Sequence, residues 1–142
     1  MKISAILATK GMNVITVRPE QSLREAIALL SMHNIGALVS VDERGKPVGI
    51  ISERDIVRHA AQNEDIFSAS IEDMMTQDVV TGSPQDDLTA VLQTMTDRHF
   101  RHLPIVDEGK LVGIVSIGDL VKAQLNEYKG EIDTLQTRIS KG

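Results

Sequence analysis

A serine that closes an apolar run, with an aspartate three residues further on, occurs twice in this chain with the same lead-in. Gly49-Ile50-Ile51-Ser52-Glu53-Arg54-Asp55 returns as Gly113-Ile114-Val115-Ser116-Ile117-Gly118-Asp119. The apolar run reads as a strand and the serine as the start of a helix. A helix start exposes unpaired N–H groups and the positive end of the helix dipole. Such a place favours an anion such as phosphate, and the serine hydroxyl adds a neutral donor. The aspartate sits one turn in and points to the same mouth. A carboxylate repels phosphate but accepts well from two vicinal ribose hydroxyls. Ribose plus phosphate is therefore the ligand chemistry this spacing suits. The same Ser-x-x-Asp pattern is also a capping box, which needs no ligand. On the residues alone both readings stand.

Other residues converge on the same mouths. Thr16 and Thr81 close the first strand of each repeat, where a hydroxyl could reach the cleft. Gly49 and Gly113 would let another element pack closely on the strand. Arg54 lies inside the first motif, and Arg58 one turn further along. Arg101 and His102 precede a predicted strand at 103–106, where the other repeat has Gly36 and Ala37. The two clefts therefore cannot be equivalent. For Arg58, Arg101 and His102 the alternative is an ordinary solvated surface.

These residues are positioned by an internal repeat. Val14-Ile15-Thr16-Val17-Arg18-Pro19 matches Val79-Val80-Thr81-Gly82-Ser83-Pro84, and Ala37-Leu38-Val39-Ser40-Val41-Asp42 matches His102-Leu103-Pro104-Ile105-Val106-Asp107. Each copy predicts a short strand (14–17; 79–81) and then a helix. Leu23, Ala26, Ile27 and Leu30 set the helical spacing in the first, and Leu88, Val91, Leu92 and Met95 in the second. Ser22 with Glu25 forms a candidate capping box, and Asp86 or Asp87 does that work in the second copy. A hairpin follows, with strands at 37–41 and 48–51, or 103–106 and 111–115, and a second helix begins after Ser52 or Ser116. The fold class is α/β (α+β), as two β-α-β-β-α units packed around a pseudo-two-fold axis with one cleft per repeat. The expected division is 1–69 for the first repeat with an N-terminal helix and linker, 70–122 for the second, and 123–142 for a C-terminal amphipathic helix. A short helix at 70–75 leads into the second copy and corresponds to Ser4-Ala5-Ile6-Leu7 before the first.

Composition narrows the function classes. Tyr128, Phe67 and Phe100 are the only aromatics, so the core of this 142-residue chain is aliphatic. That suits sheets covered by helices. The net charge of −5 argues against coating nucleic acid. It leaves room for one small anion held by local donors. With no cysteine, disulfides, thiol catalysis and Cys-based metal sites are excluded. The apolar run after Lys2 is too short for a signal peptide, and no run reaches membrane-spanning length, so a cytoplasmic protein with no membrane partner is expected. No Ser-His-Asp set or glycine-rich phosphate loop is present, so an enzyme is not expected. His99 and His102 could ligate zinc only with a further ligand that the sequence does not place.

Taken together these motifs closely resemble the cystathionine-β-synthase-type (CBS) domain, here as a tandem pair or Bateman module of the stand-alone bacterial type. The resemblance runs from about Ile3 to Val121. It rests on Thr-x-x-Pro, on Asn34-Ile35-Gly36-Ala37-Leu38-Val39 and Phe100-Arg101-His102-Leu103-Pro104-Ile105, and on the two Ser-x-x-Asp motifs. It implies a regulatory energy sensor for AMP, ADP, ATP, NAD(H) or S-adenosylmethionine. It implies that Asp55 and Asp119 take ribose hydroxyls, and that Ser52, Arg54, Ser116 and Gly118 face phosphate. Thr16 and Thr81 would lie near ribose and phosphate. Ile35, Gly36 and Ala37, and Phe100 to Leu103, would contact adenine. Arg101 and His102 would reach phosphates, often those of a ligand in the neighbouring cleft, and Pro104 is counted with the ligand-binding residues. Gly118 offers no side chain where Arg54 stands, so one good site and one weaker or different site are expected.

The resemblance also implies a homodimer. Independently, Val121, Leu125, Tyr128, Ile132, Leu135 and Ile139 step by fours and threes, a heptad seam of about three repeats. It could dock on a second chain or on this chain's own core. The competing reading of the whole protein is a ligand-independent scaffold that forms dimers and binds a partner protein.

Overall fold

The apolar spacing of each repeat is realised as helix and hairpin in turn. The computed structural model describes residues 1–11 and 14–141, with side chains through 137. The elements are α1 (Ile3–Lys10), β1 (Thr16–Val17), α2 (Leu23–His33), β2 (Ala37–Val41), β3 (Pro47–Ser52), α3 (Glu53–Ala60), a 3-10 turn (Ile66–Ser68), α4 (Ile71–Met74), α5 (Leu88–Arg98), β4 (His102–Asp107), β5 (Lys110–Ser116) and α6 (Ile117–Lys141).

In the first repeat β1 runs parallel to β2, and β2 pairs antiparallel with β3. In the second, β4 and β5 form the equivalent hairpin. Ala37 opposite Ser52 and His102 opposite Ser116 put each Ser-x-x-Asp motif beside the opposite end of its hairpin. The expected first strand of the second repeat at 79–81 does not form. Only Gly82 bridges in parallel to Ile105, donating to Pro104 O and accepting from Val106 N. The next rung would need an N–H at position 104, which proline lacks.

Two aliphatic clusters form the core, and the connecting helices are exchanged between them. Ile3, Ile6 and Leu7 of α1 pack with Leu88, Met95, Ile105 and Val115 of the second repeat. Ile71 of α4 packs with Leu23, Leu38 and Ile51 of the first. Backbone bonds fix the exchange: Ile3 N donates to Asp86 O at 3.0 Å, and Ile71 N to Gln21 O at 2.8 Å. Lys2 and Ser70 are the residues that stand before α1 and α4, and each bridges to the N-cap of the helix it meets, Asp87 or Ser22. Lys2, rather than Ser4, is thus the counterpart of Ser70. Gly49 faces Met75 and Gly113 faces Leu7 so closely that a Cβ at either would collide, which is the close packing their positions imply.

Two further details differ from the sequence reading. Ser22 does cap α2 through Glu25 N, but the Glu25 carboxylate accepts from Gln21 Nε2 at 2.7 Å instead of closing the box. Asp87 caps α5, while Asp86 accepts from Ser83 N. The tail is not a separate element: α6 runs unbroken from Ile117 through 123 to Lys141. Nothing between Ser116 and the tail stops it, since Gly130 costs a helix only about 1 kcal/mol. Leu125, Tyr128, Ile132 and Leu135 of the seam are exposed on this chain, so they do not dock on its own core. The side chain of Ile139 lies outside the described residues.

Candidate functional site

Both Ser-x-x-Asp motifs form caps. Ser52 N donates to Asp55 Oδ2 at 3.1 Å, and Asp55 N to Ser52 Oγ at 3.2 Å. Ser116 and Asp119 exchange the same bonds at 2.9 and 3.1 Å. Ser70 and Asp73 form an identical box with no cleft role assigned to them, so the capping bonds alone identify no site. What distinguishes the first motif is its surroundings.

A cleft of about 620 Å³ opens over it, a volume typical of small-molecule sites. It is not confined to one repeat. Ser52, Arg54, Asp55 and Arg58 of the first repeat face Val80, Met95, His99, Phe100, Arg101, His102 and Pro104 of the second, with Thr76 and Asp78 between them. The capping bonds of Asp55 all use Oδ2, and Oδ1 takes part in none of them. Arg54, Arg58 and Arg101 bring three permanent cations against the carboxylates Asp55 and Asp78, which favours an anionic ligand. Ile50, Met95, Phe100 and Pro104 supply apolar wall.

His102 stands where the repeats meet. A Cβ on Gly36 would lie 3.1 Å from its Nε2, so glycine at 36 makes room for the ring. Burial is the largest influence on this imidazole and pushes its pKa below 6.5. Lys10 and Arg101 push the same way, against the pull of Glu53 and Asp119. His102 is therefore a neutral donor and acceptor at neutral pH, and Arg101 is the cation of the pair.

The second motif is arranged differently. Lys10, the last residue of α1, donates from Nζ to Asp119 Oδ2 at 2.6 Å and to Ile114 O at 2.7 Å. Burial, the largest influence on Asp119, raises its pKa. The Lys10 ammonium and the Ser116 donors outweigh that and hold it below the usual carboxylate range. The first repeat's counterpart of Ile114 is Ile50, whose carbonyl accepts from Thr76 N at 2.9 Å, leaving Asp55 clear.

Of the residues singled out from sequence, the cleft brings together Ser52, Arg54, Asp55, Phe100, Arg101, His102 and Pro104. Thr81 and Leu103 line a smaller cavity of about 300 Å³ with Asp86, Asp87 and Thr94. Leu103 is buried there because its strand position faces the core. Thr16, Ile35, Gly36, Ala37, Ser116, Gly118 and Asp119 line neither cavity. The open cleft is shared by both repeats, because pseudo-symmetric packing sets one repeat's helix start against the other's strand entrance. Sequence reasoning missed Lys10, Thr76, Asp78, Val80, Met95 and His99. Lys10 becomes visible only in the fold, where α1 has eight residues and α4 four. Among the described residues no group of three or more His, Asp or Glu side chains is placed to hold a metal. No helix there is long and apolar enough to cross a membrane.

Comparison with known proteins bears on family and fold. The CBS domain family model matches residues 3–62 and 71–126. The CBS domain-containing protein YhcV of Bacillus subtilis is 38% identical over 130 residues, covering 90% of this chain and 91% of that protein. The crystal structure of the CBS-domain containing protein ATU1752 from Agrobacterium tumefaciens superposes with a TM-score of 0.84 at 38% identity, over 87% of this chain and 99% of that one. The CBS domain pair of protein MJ0100, solved in complex with 5′-methylthioadenosine and S-adenosyl-L-methionine, gives 0.80 at 33% identity, over 89% and 98%. With two matched repeats and this fold, the chain belongs to the CBS domain family as a tandem pair.

Proposed function

We propose that this protein is a non-catalytic, cytoplasmic sensor that binds an adenine nucleotide, AMP, ATP or NAD(H), in the cleft between its repeats. The carrying observation is the shared 620 Å³ cleft, which gathers a carboxylate with one oxygen outside its capping bonds, a helix start and three arginines. Asp55 Oδ1 takes the ribose hydroxyls. The Arg54 N–H takes phosphate, joined by Ser52 Oγ once it gives up its bond to Asp55 Oδ2, since Glu53 N donates to Gly36 O and Asp55 N to Ser52 Oγ. Arg54, Arg58 and Arg101 neutralise the charge. Ile50, Phe100 and Pro104 hold the base. The adenosyl ligands of the MJ0100 pair support this class of ligand. A second, weaker site uses Asp119, Ser116 and Gly118, with Thr16 and the segment Ile35-Gly36-Ala37. Ligand can regulate a partner protein only through unequal affinity for two conformations of the module.

The exposed row Leu125, Tyr128, Ile132 and Leu135 on α6 favours a homodimer through that helix. Leu125→Lys with Ile132→Lys should then give a monomer by light scattering; an unaltered dimer would assign the row elsewhere. The ligand is tested by thermal shift and calorimetric titration with AMP, ATP, NADH and S-adenosylmethionine. A saturable response to a nucleotide supports the sensor reading. No response from folded, ligand-free protein favours the ligand-independent scaffold that the exposed α6 row also suits.

A further inference from the structure

Lys10 lies outside every motif that marks the repeats, yet it joins the two atoms that matter most in the second one. Its ammonium spans from Ile114 O on β5 to Asp119 Oδ2 at the start of α6. Their counterparts Ile50 and Asp55 line the open cleft. A ribose that docks on Asp55 meets a carboxylate with no ion pair to break. A ribose that docks on Asp119 Oδ1 meets an ammonium held across the mouth between Asp119 Oδ2 and Ile114 O, and must move it first.

We infer that Lys10 makes the second site selective for phosphate-bearing adenosine ligands and closes it to uncharged or cationic ones. The inference rests on the nucleotide reading above. A ligand with a phosphate gives the displaced ammonium a new anion, because the phosphate would sit at the Gly118 N–H beside Ser116, Ile117 N being spent on Arg101 O. Ser116 N is itself 2.9 Å from Asp119 Oδ2, so a side-chain swing by Lys10 covers the distance. A charge-assisted bond to phosphate then replaces the one lost. A methylthio group offers no such replacement, and a sulfonium repels the ammonium. Lys10 and Asp119 keep 36% and 29% of their side-chain surface, so water competes and the pair can open.

The test is calorimetry on the full chain with AMP and 5′-methylthioadenosine, for wild type and Lys10→Met. The wild type is expected to take two AMP but one methylthioadenosine per chain. In Lys10→Met, methylthioadenosine should rise to two per chain, and the weaker AMP site should lose about tenfold in affinity. Equal stoichiometry for both ligands in the wild type, or no change in the variant, overturns the inference while leaving the first cleft intact. Binding of neither ligand at any site overturns the nucleotide reading itself, and this inference with it. Equal circular dichroism of the two proteins shows that the variant is folded.

Discussion

Two mouths built from one motif have different fates in this molecule. In the first repeat Ile50 and Asp55 border an open cleft; in the second Ile114 and Asp119 are joined by the ammonium of Lys10. The motif is the same, and so are the two backbone N–H bonds that cap it. The difference comes from the segment that crosses each mouth. α4 stops after four residues and sends a backbone N–H from Thr76 to Ile50, whereas α1 continues for another turn and delivers a side chain. In a duplicated fold, then, whether a motif stands open is decided as much by the neighbouring connection as by the motif itself.

The largest way to disturb this contrast is to loosen α1 from the second repeat. Leu7 is buried against Gly113, and Leu7→Ala removes a core side chain, a change that costs about 2–5 kcal/mol. Urea unfolding reads it; a loss under about 1 kcal/mol would show that α1 is dispensable to that core. Next in size is a pair of isosteric changes. Asp55→Asn should weaken the tighter AMP site at least tenfold, about 1.4 kcal/mol, while Asp119→Asn leaves that site alone. An equal effect of both on one site would erase the distinction between the mouths. Both asparagines keep an oxygen for the cap, so the fold should survive.

The pH dependence of stability sharpens the comparison at the junction. The folded pKa of His102 lies below 6.5, chiefly through burial, so the fold prefers the neutral ring. Its contribution is complete above 6.5 and is lost as pH falls through the folded pKa. His102→Gln should therefore flatten the stability curve in mildly acidic solution; an unchanged slope would place the cause elsewhere. Asp119 acts lower on the scale. Its folded pKa is depressed, so its contribution is present above the usual carboxylate range and lost as pH falls through the folded value. The smallest effect belongs to Lys10→Met, which should change stability at neutral pH by no more than about 1 kcal/mol, since the ion pair is partly exposed. A larger loss in thermal melts would make Lys10 a structural residue first.

The sequence made the repeat, both helices of each unit, both hairpins and the Ser-x-x-Asp caps readable, because these depend on local spacing. Leu23, Ala26 and Leu30 face inward as their period requires, and so do Leu88, Val91 and Met95. It did not show which repeat each connecting helix would cover, because Ile3 and Ile71 complete clusters distant in sequence. It also misled at 79–81, where one missing N–H at Pro104 ends the ladder. At the site, Asp55, Arg54, Arg101 and His102 were legible by type and register. Thr76, Asp78 and Met95 were not, since they meet the motif only when the repeats pack. Lys10 stands at a helix end with no motif around it, and it becomes visible only in the fold, where α1 and α4 differ in length.

The most direct test of the central claim is a crystal structure of the protein grown with saturating AMP. The ribose should lie on Asp55, the phosphate beside Ser52 and Arg101, and the adenine against Phe100 and Pro104. AMP bound only at Asp119, or a cleft left empty while AMP binds elsewhere, would contradict that claim.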